Sequence, residues 1–239
     1  MLEGEKGSGR AKLAQCVAQY VHPRKTVRVM RAETFPTPAL FIAEIVAQTD
    51  GDDFAVVISD LDCIDEGTLA AVFPVLQSRA SRGWIAATTS SSKPSPMIEL
   101  LLPLFIHTVT VPALRHRIED IEVLVPFLLR ELTSGADVRL APDAMRQLNK
   151  LPWPGNVAQL RRIIAETLAR QRSGVIGADK LPPECRSLAK RTLTQMEALE
   201  RDAIVRSLEE NSNNKLQAAI ALGMSRATIY RKMRDYGIA

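Results

Sequence analysis

Residues able to do chemistry are concentrated at the two ends of this 239-residue chain. Near the start, the run GEKGSGR places Gly4, Gly7 and Gly9 in a short loop, and the spacing glycine, four residues, glycine is that of a loop whose backbone N–H groups cradle phosphate. Such a loop needs a lysine next, to reach the outer phosphates, and usually a hydroxyl for magnesium. Arg10 and Ala11 occupy those places. Arginine is bulkier and planar, so it is not a neutral exchange at a cramped phosphate site, and the glycine spacing alone is weak evidence of nucleotide binding. At the other end, Asn214, Lys215, Ser225, Arg226, Thr228, Tyr230, Arg231, Lys232 and Arg234 gather cations and hydrogen-bonding side chains within about twenty residues.

The charge balance sharpens the second of these. The chain carries 31 basic and 27 acidic residues, a net charge of +4. From position 211 onward Lys215, Arg226, Arg231, Lys232 and Arg234 face one acid, Asp235, so the whole excess lies in the tail and the remainder is neutral. A neutral body with a basic end suits a polyanion-binding module joined to something else, although a charge run is often only a solvated face.

The elements that must present this tail read clearly. Leu193, Met196, Leu199, Ala203, Ile204 and Leu208 recur at helical spacing, which predicts one amphipathic helix ending near positions 211–212. Asn213 or Asn214 then caps a second helix over 215–222, Gly223 supplies a left-handed turn, and Ser225 caps a third helix ending at 236–237. Small Ala218 and Ala219 let the last two helices approach. On a 3.6-residue wheel Ile229, Met233 and Tyr236 form the core face, which turns Ala227, Tyr230, Arg231 and Arg234 outward, flanked by Arg226, Thr228 and Lys232. Two short helices joined by a glycine turn form a helix-turn-helix, and the outward stripe fits the major groove of a duplex. The plainer alternative is a helical hairpin with a solvated basic face.

Further upstream, short β-branched or apolar runs at 26–30, 54–59, 84–89 and 105–111 read as strands, and 11–20, 37–48 and 65–79 carry helical spacing between them. That alternation predicts a parallel sheet covered on both faces. From 119 to about 172 every pattern is helical: Ile121, Leu124, Val125, Leu128, Leu129 and Leu132 make a wide apolar face, Pro142-Asp143 opens a second helix, and Asn156 caps a third running through Gln171. Positions 181–183 (LPP) and 186–191 read as a linker.

Composition is that of a folded globular protein, with 46% hydrophobic and 24% charged residues. Cys16, Cys63 and Cys185 are odd in number and far apart, so neither a disulfide framework nor a zinc site is expected. The longest apolar run, 97–106, is too short to span a bilayer and the chain opens with no signal-peptide pattern, so no membrane partner and a cytoplasmic location are expected. His22, His107 and His116 are isolated. Asp50, Asp52 and Asp53 look like an acidic turn, and no nucleophile stands beside a base.

The tail NNKLQAAIALGMSRATIYRKMRDYGI closely resembles the Fis-type helix-turn-helix. That resemblance implies that Arg226, Thr228, Tyr230 and Arg231 approach bases or adjacent phosphates, and that Asn214, Lys215, Lys232 and Arg234 hold the DNA backbone. Tyr230 departs from the long basic residue often found at its place, which leaves the preferred sequence open. It also implies dimers, with Met196, Leu199 and Ala203 in the interface. Upstream, GEKGSGR, VVISDLD (56–62), WIAATT (84–89), VPALRHRIEDIEVLVPFLL (111–129) and LPWPGNVAQLRRII (151–164) occur in the order of the AAA+ domain of sigma-54-dependent activators, the bacterial enhancer-binding proteins. The WPGN signature is the most specific of these matches.

That resemblance also locates what has changed. Asp60 stands at the magnesium aspartate of Walker B, but Leu61 replaces the glutamate that polarises water. Sensor I offers Thr89 instead of asparagine, the two trans-acting arginine positions fall near Met97 and Pro103, and the sensor II arginine is Ala158. Phosphoryl transfer depends on positive charge gathered at the leaving phosphate, and one trans arginine is worth about 10³-fold or more. Asp62 is the one residue that could replace the lost glutamate, but it leaves the strand on the other face from Leu61. The family's GAFTGA loop, which grips the sigma-54 factor, is absent, and the sheet's middle strand is expected to be missing, since only three residues precede Gly4.

The expected fold is therefore an α/β P-loop (AAA+-like) parallel sheet, truncated at its N-terminus, followed by a helical lid and an all-α helix-turn-helix domain. The expected boundaries are 1–118, 119–183, a linker at 184–192, and 193–239. The expected function is a sequence-specific DNA-binding transcriptional regulator, a homodimer or higher oligomer on double-stranded DNA, with RNA polymerase as a further partner. Gly4, Gly7, Gly9, Arg10 and Asp60 form a vestigial nucleotide set, with no catalytic residue, metal or cofactor and with ATP and magnesium unlooked-for. The alternatives are an ATP-hydrolysing activator of sigma-54 RNA polymerase and a Fis-like architectural protein.

Overall fold

The computed structural model describes the chain outside residues 32–33, 36, 52–53, 91–95, 134–136, 189–194, 212, 237 and 239, and outside the side chains of 97, 186–188, 195 and 198. Asp52, Asp53, the side chain at 97, residues 189–192 of the expected linker, Leu193 and the end of the last helix at 237 thus lie outside the described residues. The chain divides into two compact units, Met1–Val111 and Pro112–Ala239.

The first unit is built on a five-stranded sheet. Strands β1 (Leu2–Glu3), β2 (Val27–Arg31), β3 (Ala55–Ser59), β4 (Trp84–Thr89) and β5 (Val109–Thr110) run parallel in the order β2-β3-β4-β1-β5. Helices α1 (Arg10–Val21), α2 (Pro38–Gln48), α3 (Glu66–Arg79) and α4 (Pro96–Leu101) connect them. The expectation of a missing middle strand is corrected: Leu2 and Glu3 occupy that place, paired with Thr88 and Thr89 on one side and with Val109 and Thr110 on the other. The strand expected over 105–111 shrinks to β5, because Leu102–Leu104 turn as a 3-10 segment. Every residue of β3 is buried, as a central parallel strand sandwiched by helices requires. One face packs Phe41, Ile45, Val56, Ile58, Leu69 and Leu76 into a core, and the other sets Val57 and Ala86 against Ala14 of α1. Local chemistry sets the helix starts: the Thr37 hydroxyl accepts from Leu40 N–H with Pro38 in the first turn, and Asp65 accepts from Thr68 N–H at 2.9 Å.

The second unit begins at Pro112, a few residues before the expected boundary, because fully buried Leu114 packs into the core that follows. That core joins α5 (Ile121–Leu132), α6 (Pro142–Leu148) and α7 (Asn156–Arg170) through Ile121, Val125, Leu128, Leu160, Ile163 and Ile164. The all-helical reading is corrected by β6 (Val138–Leu140) and β7 (Gly174–Ile176), which form a parallel pair, and the linker reading by α8 (Pro183–Leu188), which occupies part of that linker. Asn156 also differs in role. It is not the cap of α7 but its first residue, with φ +52°, and its buried side-chain oxygen accepts from Leu114 N–H at 2.8 Å. Trp153, also fully buried, donates its indole N–H to the Leu148 carbonyl. The WPGN turn is thereby a clamp between α7 and the chain entering the unit.

The tail folds as α9 (Gln195–Glu210), α10 (Lys215–Ala221) and α11 (Arg226–Asp235). Its own core consists of Ile204, Leu208, Ala218, Ala219, Ile229, Met233 and Tyr236. Asp202 of α9 pairs with Arg115 at 2.7 Å, and the adjacent buried Arg201 reaches the same carboxylate at 3.4 Å.

Candidate nucleic-acid interface

The helix-turn-helix is assembled from local signals. Asn214 caps α10, its side-chain oxygen accepting from the N–H groups of Leu216 and Gln217 at 3.1 and 3.3 Å. Asn213, the alternative cap, instead takes a left-handed backbone at φ +61°. Gly223 turns the chain at φ +64°. Ser225 caps α11, its hydroxyl accepting from Thr228 N–H at 3.1 Å and lying 2.8 Å from the Thr228 hydroxyl. Ile229, Met233 and Tyr236 are buried as the helical wheel required, so Arg226, Ala227, Tyr230, Arg231 and Arg234 are all exposed on the opposite side.

This face has internal order. The Tyr230 ring lies between two cations, Lys215 Nζ at 5.4 Å and the Arg226 guanidinium at 5.7 Å from its centroid. The two contacts tie α10 to the start of α11 and hold both positive charges beside one phenol, each contact worth about 0.5–1 kcal/mol at an exposed site. Arg231 and Arg234 extend the stripe one turn further along. Among the described residues no carboxylate is paired with Lys215, Arg226, Arg231 or Arg234, so these four charges face solvent unneutralised.

Two expected DNA contacts are engaged elsewhere. Lys232 turns toward α9 and donates to Glu200 at 2.6 Å, and the Tyr236 hydroxyl donates to the same carboxylate oxygen. Those hydrogen bonds hold the Glu200 carboxyl below the usual carboxylate range, that from Lys232 foremost, and raise the Lys232 ammonium above its own. Burial raises the Tyr236 phenol first, and its bond to Glu200 adds to this. Asn214 spends its side-chain oxygen on the cap. Sequence reasoning missed Glu200, which lies 32 residues from Lys232 and is one of several acids on α9.

The expected nucleotide remnants come together in the first unit. Gly9 precedes α1 with φ +93°, and Gly4 is held against the Val111 carbonyl so closely that a Cβ there would lie 2.5 Å from it. Arg10 folds back over the loop, donating from Nη1 to the Gly4 carbonyl and from Nη2 to Asp60 Oδ1, both at 2.9 Å. Its guanidinium is buried, at 4% exposure against 30% for Asp60. Asp60 itself has a left-handed backbone, φ +61°. Asp62, weighed as a substitute base, accepts from both the backbone and the hydroxyl of Ser90. Leu61 is fully buried in the core, Ala158 is exposed on α7, and Pro103 lies in the 3-10 segment. Gly7, with φ +80°, completes the loop.

No helix of the described residues is long and apolar enough to cross a membrane. Residues 115–198 match the model of the AAA+ ATPase lid domain, and residues 195–236 that of the bacterial regulatory protein, Fis family. Over its full length the chain is 60% identical to the propane 2-monooxygenase operon transcriptional activator MimR of Mycolicibacterium goodii, of which it covers 41%. It is 32% identical, over 58% of its length and 27% of the relative, to the sigma-54-dependent transcriptional regulator UacR of Escherichia coli (strain K12). The chain thus spans less than half the length of these relatives. Among solved structures it resembles NtrX from Brucella abortus, with a TM-score of 0.60 and 23% identity over 100% of this chain and 63% of that one, a likeness of fold.

Proposed function

From the premise that this chain belongs to the sigma-54-dependent activator family, joining an AAA+ lid to a Fis-family helix-turn-helix, we propose that it is a sequence-specific DNA-binding regulator of transcription whose AAA+ body serves assembly or regulation and does not hydrolyse ATP. One observation carries the DNA-binding half: α11, capped and packed on α10, turns Arg226, Tyr230, Arg231 and Arg234 outward with no carboxylate among the described residues paired to the arginines. Phosphate contacts would supply affinity and salt dependence, and Arg226 and Arg231, nearest the helix start and centre, are placed to read base edges in a major groove. A homodimer or larger assembly is the expected state, in the cytoplasm, with RNA polymerase as a partner beyond the DNA.

The non-hydrolysing half is supported by the residue set around Asp60. The position of a phosphate-binding lysine holds a guanidinium already bonded to Asp60, Leu61 cannot polarise water, and Asp62 is engaged by Ser90. Mg·ATP would have to break the Arg10–Asp60 pair to bind as in an active enzyme.

Titrating a cognate duplex against a scrambled one at fixed salt tests the first half, with about 10³-fold preference or more expected. Preference near unity selects the architectural reading. Arg226→Ala and Arg231→Ala should each cost about 1–3 kcal/mol of specific binding, and unchanged affinity in both removes the recognition face. Phosphate release from ATP tests the second half: turnover that Asp60→Ala abolishes would show an active ATPase.

A further inference from the structure

The recognition helix is not free to offer all its cations to DNA. Of the five basic side chains on or beside its exposed face, four have no acidic partner among the described residues, and the fifth, Lys232, is drawn across to α9. Its ammonium donates to Glu200 at 2.6 Å, sits 5.6 Å from the centroid of the Tyr236 ring, and shares its acceptor oxygen with the Tyr236 hydroxyl. Both partners are only partly exposed, 23% for Lys232 and 31% for Glu200. One carboxylate therefore binds Lys232 of α11 and Tyr236, the residue that ends it.

We propose that Glu200 is a positioning residue for DNA recognition: it fixes the C-terminal half of α11 against α9 and, in doing so, withholds Lys232 from the phosphate backbone. The inference rests on the DNA-binding reading above and deepens it by dividing the basic residues into those that meet DNA and one that serves the fold. The physical ground is counterion release. A lysine that neutralises a phosphate displaces a condensed cation, which adds about 0.9 to the slope of log affinity against log salt concentration. A lysine already neutralised by a carboxylate and held by a hydrogen bond to it releases none.

The salt slope of duplex binding by the whole chain separates these roles. Lys232→Met should leave the wild-type slope unchanged. Glu200→Gln keeps the side chain's size and its acceptor for Tyr236 but removes the charge that holds Lys232. It should steepen the slope by about 0.9 per bound module, so that a fourfold rise in salt costs the variant about 3.5-fold more affinity than it costs the wild type. The double variant should return to the wild-type slope. Tyr236→Phe removes one bond to Glu200 and leaves the Lys232 pair, so affinity should fall while the slope stays the same. A flatter slope for Lys232→Met means that Lys232 already meets phosphate, and an unaltered one for Glu200→Gln means that the carboxylate is not what withholds it; either overturns the proposal. So does a Glu200→Gln effect that persists without Lys232, which would mark a general loss of negative charge. Thermal melts confirm that each variant is folded. Absence of any salt-dependent binding by the wild type would instead defeat the DNA-binding reading itself.

Discussion

At position 10 a planar guanidinium spreads its donors over two nitrogens, Nη1 on a carbonyl and Nη2 on a carboxylate, so one side chain bridges both. The burial of its two ends differs, and the cost of breaking the pair should differ with it. Asp60→Ala strands a buried positive charge and should destabilise the first unit by about 3 kcal/mol. Arg10→Met leaves a carboxylate that water reaches and should cost about 1 kcal/mol. Denaturant unfolding followed through Trp84, with Trp153 replaced by phenylalanine, reads this unit alone; equal effects would contradict the asymmetry. Cys185 makes a second residue-scale prediction. Burial in the core between α6 and α7 pushes its thiol up from 9.0 to about 11. Above pH 9.0 the unfolded chain gives up this proton while the folded chain keeps it, so stability should decline as pH rises from 9.0 to about 11. At pH 8 a thiol reagent should label exposed Cys16 and Cys63 promptly and Cys185 only after unfolding.

At the scale of elements, the tail owes its shape to end chemistry more than to helix length, since α10 has seven residues and isolated helices so short do not persist in water. Ser225→Ala should cost about 1 kcal/mol by removing the cap of α11. At Gly223 an added Cβ would meet nothing within 4 Å, so Gly223→Ala should cost about 1–2 kcal/mol purely through its left-handed backbone, and Gly223→Asn less. Chemical denaturation of the chain ranks the three. The Glu200–Lys232 bond should hold these helices together over a broad pH range. Glu200 contributes above its ordinary 4.5 and loses the contribution as pH falls through its lowered folded value, while Lys232 contributes below its ordinary 10.5 and loses it as pH rises through its raised one. Loosening of α11, seen in near-ultraviolet circular dichroism of Tyr236, is expected only outside that window.

Across the whole molecule, the excess of positive charge lies in the tail, next to apolar side chains that the resemblance assigns to a dimer contact. The tail carries the net positive charge, and the first turns of α9 expose Met196 at 75% and Leu199 at 64%. Leu199→Lys should lower cooperativity on a duplex with two half-sites and leave affinity for a single half-site nearly unchanged; equal loss on both would place Leu199 outside a dimer contact.

Much of this was legible in advance, for reasons that are local. Strands such as 84–89 and helices such as 65–79 announce themselves through periodicity within one element, and Asn214, Gly223 and Ser225 act on their own neighbours, so residue type and spacing were enough to draw the helix-turn-helix and its outward stripe. What tertiary structure alone decided involves partners far apart in the chain. Leu2–Glu3 has too few residues for any period and is a strand because Thr88 and Val109 lie on either side of it; β6 and β7 exist by the same mutual support. Arg10 reaches Asp60 across 50 positions, Asn156 holds Leu114 across 42, and Glu200 claims Lys232 across 32. A side chain's type states which bonds it is able to make, but which one it makes depends on the group that packing brings within 3 Å, and that is a property of the folded chain.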